Sequence, residues 1–332
     1  MRLIIPMAGR GTRVRPHSHT TPKPLLPVAG TMIVERIVQT FGKTLNRDID
    51  EICFVLGDFG DEVKKSLAEM SERQGAKARF FKQDIAKGTA HAVYCAAEAL
   101  EDEVIIVFAD TLFDTQTKVS VDDADSVIWL KEVEDPSRFG VAVMDGDRIK
   151  NFVEKPKEPI SNLAIIGVYY FQDGANLKRE IEYLLENNIV GHGDEYQLTD
   201  ALDRMLQDGK TFKSATVDEW LDCGTLPAWL ETSGEIVAKE HPTFDESRYP
   251  GCTINKPVFI ADGVVVTDSE IGPNVSIESG CTISGSKIKN TIIQHDSSIT
   301  NSDLSDSTIG NNVVLEGAKG SYHVGDHSEV RV

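Results

Sequence analysis

Within the first 28 residues, two glycines, a threonine hydroxyl, an arginine and a lysine fall at spacings suited to holding phosphate. The stretch Ile4-Ile5-Pro6-Met7-Ala8-Gly9-Arg10-Gly11-Thr12-Arg13 is a short apolar strand running into a loop. Pro22-Lys23-Pro24-Leu25-Leu26-Pro27-Val28 closes it with a lysine boxed between prolines. Glycines let backbone N–H groups approach phosphate oxygens with no Cβ in the way, and Arg13 and Lys23 add mobile positive charge. Two familiar phosphate loops are excluded. A dinucleotide fingerprint needs a third glycine or alanine at the sixth position, which here is Val14, and a P-loop needs Gly-Lys-Ser/Thr, which is absent.

Such a loop has to be positioned by a strand inside a sheet. Through about residue 240, apolar strand-like runs alternate with helical patterns, the mark of an α/β fold around a largely parallel, Rossmann-like sheet. Ile52 to Leu56 precedes the helix-like Asp61 to Glu72, Ala78 to Phe81 precedes Thr89 to Ala99, and Val104 to Phe108 follows. Ligands in such sheets sit at the carboxyl ends of the strands, so the loops after Ile5, Phe81 and Phe108 are expected to converge. From about Gly251 helix formers thin out, and Ser, Thr, Asn, Asp and Gly surround regularly placed aliphatics. One register reads Val265, Ile271, Ile277, Ile283, Ile288, Ile293, Ile299, Leu304, Ile309 and Leu315, spaced by five or six residues. This hexapeptide repeat predicts a parallel β-helix of about four coils, each aliphatic pointing inward onto its equivalent in the next coil. The chain divides into residues 1–240 and 241–332.

The formal charge of −19 argues against a general binder of nucleic acid or anionic membrane, whose footprint is basic. An anionic substrate would be captured locally, by a small basic pocket with help from a divalent metal. Cys53, Cys95, Cys223, Cys252 and Cys281 are scattered with no Cys-x-x-Cys pair, so free thiols in a reducing compartment are expected. The opening apolar run is too short for a signal peptide, and no run of about 18 apolar residues follows. A cytoplasmic protein without membrane contact is the expectation.

The loop and the Pro-Lys-Pro box resemble the signature of the sugar-phosphate nucleotidyltransferases, Gly-x-Gly-Thr-Arg followed by Pro-Lys-x-Leu-x-Pro-Val. The resemblance runs nearly end to end, to the terminal His323-Val324-Gly325-Asp326-His327-Ser328-Glu329-Val330. It points to the long-form glucose-1-phosphate thymidylyltransferase branch, and so implies that the β-helix is left-handed. In that family an apolar strand ends in Gly-Asp, and the aspartate binds catalytic Mg²⁺; here Ile105-Ile106-Val107-Phe108-Ala109-Asp110 substitutes alanine for the glycine. Glu219-Trp220-Leu221-Asp222-Cys223-Gly224-Thr225 resembles the family's Trp-x-Asp-x-Gly-Thr, which makes Asp222 a second carboxylate. One or two carboxylates with waters and phosphate oxygens suffice for Mg²⁺.

The resemblance also assigns the substrate contacts. Ala8, Gly9, Gly11, Thr12 and Arg13 would bind the triphosphate, while Gln83 with Gly88 and Thr89 would read the base. A glutamine amide donates and accepts at once, which suits the edge of thymine or uracil. Glu154 and Lys155, in a Glu-Lys-Pro motif, would hold the sugar hydroxyls and the sugar 1-phosphate. Phe139, Gly140 and Gly167 would line the sugar pocket, and Glu195, in Glu-Tyr-Gln-Leu-Thr-Asp, lies near it.

The implied reaction is attack by a sugar 1-phosphate oxygen on the α-phosphorus of a nucleoside triphosphate, with Arg13, Lys23 and Asp110 as the catalytic set. TTP and UTP differ by one methyl, worth only about 1–3 kcal/mol to a hydrophobic pocket, so the choice stays open. Glucose 1-phosphate is the expected acceptor, with N-acetylglucosamine-1-phosphate uridylyltransferase and mannose-1-phosphate guanylyltransferase as alternatives. Two other classes compete: an acyltransferase on the β-helix with His295 or His323 as general base, and a sugar-nucleotide sensor without catalysis. The β-helix itself is expected to mediate homo-oligomerisation or regulation, because an open coil end must be capped or paired.

Overall fold

The computed structural model describes residues 1–9, 11–45, 47–115, 118–122, 124–158 and 160–332. By its contacts the chain forms two compact units, Met1–Gly9 with Ile37–Trp220, and Arg10–Arg36 with Leu221–Val332. The segment that follows the first strand therefore groups with the C-terminal coils and not with the sheet.

The first unit is built on β1 (Arg2–Pro6), β2 (Glu51–Leu56), β3 (Lys77–Lys82), β4 (Val104–Val107), β5 (Ser126–Glu132), β6 (Gly140–Asp145), β7 (Arg148–Glu154), β8 (Leu163–Phe171) and β9 (Phe212–Thr216). They make a nine-stranded sheet in the order β3-β2-β1-β4-β8-β5-β9-β7-β6. The half from β3 to β4 is wholly parallel, as alternating strands and helices require. Beyond it the sheet is mixed: β8 runs antiparallel to both β4 and β5, and β7 is antiparallel to β6 and β9. The sheet is thus less parallel than the alternation predicted, because β6 and β7 form a hairpin and need no crossover helix.

Helices α1 (Ile33–Thr44, from Ile37 on), α2 (Asp61–Arg73), α3 (Thr89–Tyr94), α4 (Gly174–Glu186) and α5 (Leu198–Gln207) lie in this unit. The Asp173 carboxylate caps α4 by accepting from Ala175 N at 3.0 Å. Ile4, Val55, Ile106, Ile128 and Phe171 from the sheet share one core with Val93, Leu177 and Leu202 from the helices.

The C-terminal part of the second unit is a parallel β-helix. One ladder stacks Ile254, Ile271, Ile288, Leu304 and Gly320, and another stacks Val266, Ile283, Ile299, Leu315 and Val330. Each ladder is five strands deep, one coil more than the repeat predicted. Nine of the ten register positions point inward, but Val265 is 52% exposed and Val266 takes the core place opposite Ile283. The aliphatic pair Val265-Val266 left that phase undecided in the sequence.

The polar texture has two causes. Coil corners adopt positive φ at Asp268, Asn274, Asn290, Asp296, Asn301, Asp306, Asn312 and His327, a conformation that Asn and Asp tolerate best after glycine. Buried serines satisfy the next coil: the hydroxyls of Ser269, Ser286 and Ser302 accept from Ser286 N, Ser302 N and Ala318 N at 3.0, 3.1 and 3.2 Å. The helix α6 (Leu226–Glu240) of this unit is capped by Thr225, whose Oγ1 accepts from Ala228 N at 3.3 Å. All five cysteines are free thiols. No helix among the described residues is long and apolar enough to cross a membrane.

Candidate active site

In the second unit the candidate phosphate loop is compact. Gly11 has φ +57°, and a Cβ there would stand 3.0 Å from the Lys23 Cβ and 3.4 Å from that of Ser18. Its carbonyl accepts from the Ser18 hydroxyl at 2.7 Å. Three single turns follow, Thr12–Val14, His17–His19 and Lys23–Leu25, which leave Arg13 exposed and Val14, His17 and Lys23 buried. Residues 209 apart in the chain converge here: a Cβ on Gly224 would lie 2.8 Å from Asp222 Oδ1 and 3.3 Å from Arg13 Nη2. Asp222 Oδ1 also accepts from Gly224 N at 2.6 Å. The Asp222 carboxylate and the Arg13 guanidinium, both of exposed residues, thus flank Gly224 on one small patch.

Ala8 and Gly9 follow β1 in the first unit, and among the described residues a Cβ on Gly9 would meet nothing within 4 Å. Packing does not require glycine at that position; close approach of a ligand to its backbone would.

The base and sugar candidates of the first unit are joined by backbone. Gly88, at φ +110°, has no room for a side chain, since a Cβ would stand 2.4 Å from Tyr196 O and 2.9 Å from the Glu195 Cβ. Ala90 N donates to Tyr196 O and Tyr196 N donates to Lys87 O, each at 2.9 Å. Thr89 Oγ1 accepts from Leu198 N at 2.8 Å, so this predicted nucleotide contact also starts α5. Gln83 Nε2 donates to His91 Nδ1 at 3.1 Å. Burial, helped by Lys87, lowers the His91 pKa and keeps the ring in the neutral state that can accept.

Glu154 is held at both oxygens: Oε2 accepts from Thr199 Oγ1 at 3.2 Å, and Oε1 lies 3.7 Å from Lys155 Nζ. Gly140 pairs with Glu154 across the hairpin, and a Cβ on it would come 2.9 Å from Glu154 Oε2. Lys155 adopts φ +43°, uncommon for a lysine, while its N–H donates to Phe139 O at 3.0 Å. Phe139 meets Trp220 edge to face at 5.1 Å, and among the described residues the buried Trp220 Nε1 has no acceptor. Gly167 takes φ +81° at an irregularity of β8, where its carbonyl accepts from Phe108 N at 3.0 Å, so its backbone conformation alone demands glycine.

Asp110 is exposed just beyond β4, behind the buried Ala109. Burial raises the Tyr169 hydroxyl pKa, and Glu154 and Asp110 both add to the shift, so the two carboxylates bear on one ring. Asp110 belongs to the first unit and Asp222 to the second. Among the described residues, no three or more His, Cys, Asp and Glu form a ready-made metal cage. Exposed carboxylates are the hard oxygen donors that Mg²⁺ takes together with phosphate oxygens, so the donor set fits.

Thr199, His91 and Trp220 take part in contacts that no signal in the sequence marks, and His17 is a lone histidine without a pattern. Of the acyl-transfer candidates, the exposed His295 has Nδ1 3.1 Å from Ser279 Oγ, and His323 Nδ1 accepts from the buried Thr308 hydroxyl at 2.9 Å.

Residues 3–239 match the family model described as nucleotidyl transferase. A glucose-1-phosphate thymidylyltransferase of Streptomyces antibioticus is 28% identical over all of this chain and 99% of its own. A bifunctional protein of Methanococcus aeolicus, GlmU, is 28% identical over 94% of this chain and 78% of its own. Among solved structures, a UDP-glucose pyrophosphorylase complexed with UDP-glucose superposes with a TM-score of 0.60 at 22% identity, covering 72% of this chain and 98% of that one.

Proposed function

The chain belongs to the nucleotidyl transferase family, and from that premise we propose that it transfers a nucleotidyl group from a nucleoside triphosphate to a sugar 1-phosphate. An oxygen of the sugar phosphate attacks the α-phosphorus, the bond from that phosphorus to the bridging oxygen breaks, and pyrophosphate leaves. The observation that carries this reading is the backbone closure of Gly88 onto residues 195–198, which ties the candidate base segment to the candidate sugar segment. Full-length similarity to a thymidylyltransferase supports it, and makes TTP or UTP with glucose 1-phosphate the proposed substrates.

Arg13 and Lys23 are proposed to bind the β- and γ-phosphates, with the backbone of Ala8, Gly9, Gly11 and Thr12 beside them. Gln83, oriented by His91, faces the base with Gly88 and Thr89. Glu154, Lys155, Phe139, Gly140, Gly167 and Glu195 serve the sugar phosphate. Asp110 and Asp222 are the proposed carboxylates for Mg²⁺, which when bound would neutralise charge on the reacting phosphates. The remainder of the rate enhancement is positioning and fixed charge. Residues 1–240 are assigned to catalysis and 241–332 to a left-handed β-helix for homo-oligomerisation or regulation, in a cytoplasmic protein.

The test is a matrix of triphosphates against sugar 1-phosphates, read by Mg²⁺-dependent pyrophosphate release. Release with TTP or UTP and glucose 1-phosphate is expected. No release with any pair would refute the function, and acetyl-coenzyme A turnover in its place would favour the acyltransferase.

A further inference from the structure

His17 lies in the phosphate loop between Arg13 and Lys23, and it is completely buried. Both its nitrogens are bonded to side chains of the β-helix some 280 residues later in the chain: Nδ1 is 2.9 Å from Gln294 Nε2, and Nε2 is 2.8 Å from Thr308 Oγ1. The direction of these bonds follows from their chemistry. An amide nitrogen only donates, so His17 Nδ1 accepts and Nε2–H donates to Thr308. The Thr308 hydroxyl then donates to His323 Nδ1 at 2.9 Å, while Gln294 Oε1 accepts from Asn311 Nδ2 at 3.4 Å. Each of these four bonds joins a donor to an acceptor, and Gln294 and Thr308 are buried like His17.

A second anchor lies three residues on, where the Thr20 hydroxyl donates to Asp326 Oδ2 at 2.6 Å. Beside these anchors the loop packs closely on the coil, for a Cβ on Gly325 would stand 3.0 Å from the Pro16 Cβ. The imidazole also meets the Trp229 ring edge-on at 5.3 Å. Within the stack, the buried hydroxyls of Ser269, Ser286 and Ser302 serve the next coil, whereas Gln294 and Thr308 direct buried polar groups to a segment outside the stack.

We propose that the β-helix is the template that positions the triphosphate loop, with His17, clamped by Gln294 and Thr308, as a positioning residue for Arg13 and Lys23. This rests on the functional reading above and gives the coils a direct part in substrate binding, beyond assembly or regulation. Burial lowers the His17 pKa to about 4, with His323 acting in the same sense and Asp326 opposing. The ring is therefore neutral near pH 7, as the relay requires.

The test uses the full-length protein and substitutions in the coils. Thr308→Val keeps the shape and removes the hydroxyl, Thr308→Ser keeps the hydroxyl, and Gln294→Leu removes the opposite bond. Thr308→Val and Gln294→Leu are each expected to raise KM for the triphosphate about tenfold, the effect of losing one buried hydrogen bond. KM for the sugar 1-phosphate should move less than about twofold. Thr308→Ser should recover most of the loss, and hydrogen exchange of the amides of residues 11–26 should accelerate in Thr308→Val and not in Thr308→Ser. Unchanged triphosphate KM and unchanged exchange in both Thr308→Val and Gln294→Leu would overturn the proposal. Equal rises in both KM values would overturn it as well, since that is what general destabilisation produces. If the wild-type protein releases no pyrophosphate with any substrate pair, the functional reading falls, and the exchange comparison still decides whether the coils order the loop.

Discussion

The two groups of candidate site residues are held in contrasting ways. The phosphate loop of the second unit is fixed by side chains: His17 to Gln294 and Thr308, Thr20 to Asp326, and Trp229 Nε1 donating to Pro27 O at 2.9 Å. The base and sugar group of the first unit is framed by backbone, through Gly88 and residues 87–90 against 195–198 and through the β6–β7 hairpin under Glu154, with the Thr89, His91 and Thr199 side chains added to that frame. A loop held by side chains can be loosened one atom at a time. A group held by backbone tolerates side-chain change but fails when a glycine acquires a Cβ.

The largest expected effect treats both groups alike. Arg13→Ala in one unit and Asp110→Asn in the other should each lower turnover by about a thousandfold, the scale of losing a transition-state charge partner, with circular dichroism unchanged. Wild-type turnover in either would break the assignment of that residue. The next effect separates the groups. Gly88→Val forces a β-branched residue to φ +110° against Tyr196 O, and should cost at least about 3 kcal/mol in a urea melt. Gly9→Ala, with open space around its Cβ, should cost less than about 1 kcal/mol. Similar losses from the two would erase the distinction between a packed glycine and a ligand-facing one.

Acid should act on the phosphate loop through His17. The folded pKa of about 4 lies below the unfolded value of 6.5, so between these limits the unfolded chain takes up a proton that the folded chain refuses. This contribution to stability is complete above pH 6.5 and is lost as pH falls towards 4, by up to about 3 kcal/mol. His17→Asn should flatten that part of the stability profile; an identical slope in wild type and variant would show that the ring is not the group responsible.

Much of the candidate site was legible because its motifs are short and local. Gly11 to Lys23, the Glu-Lys-Pro turn and the segment Gly88-Thr89-Ala90-His91 each act within a few residues of chain, so their residue types reveal them. The β-helix was legible for a related reason: each coil repeats the previous environment, so aliphatics recur every five or six residues. Phase failed at Val265, where two adjacent valines offer two registers and only pairing with Ile283 selects Val266. Thr199 was missed because a threonine near a helix start reads as local capping, whereas its hydroxyl serves Glu154 on a distant hairpin. The mixed half of the sheet was missed because periodicity reports strands but not their directions.

The sequence by itself determined the residue types at the site, the α/β and coil regions and the family. The tertiary structure alone decided that Arg13 and Asp222 share the Gly224 patch, that Glu195 lies against Gly88, and that the phosphate loop is bonded to coils near the C-terminus. The physical reason is range. Periodicity and turn chemistry are set by neighbours along the chain, whereas a buried histidine finds its partners only when residues hundreds of positions apart have been packed together.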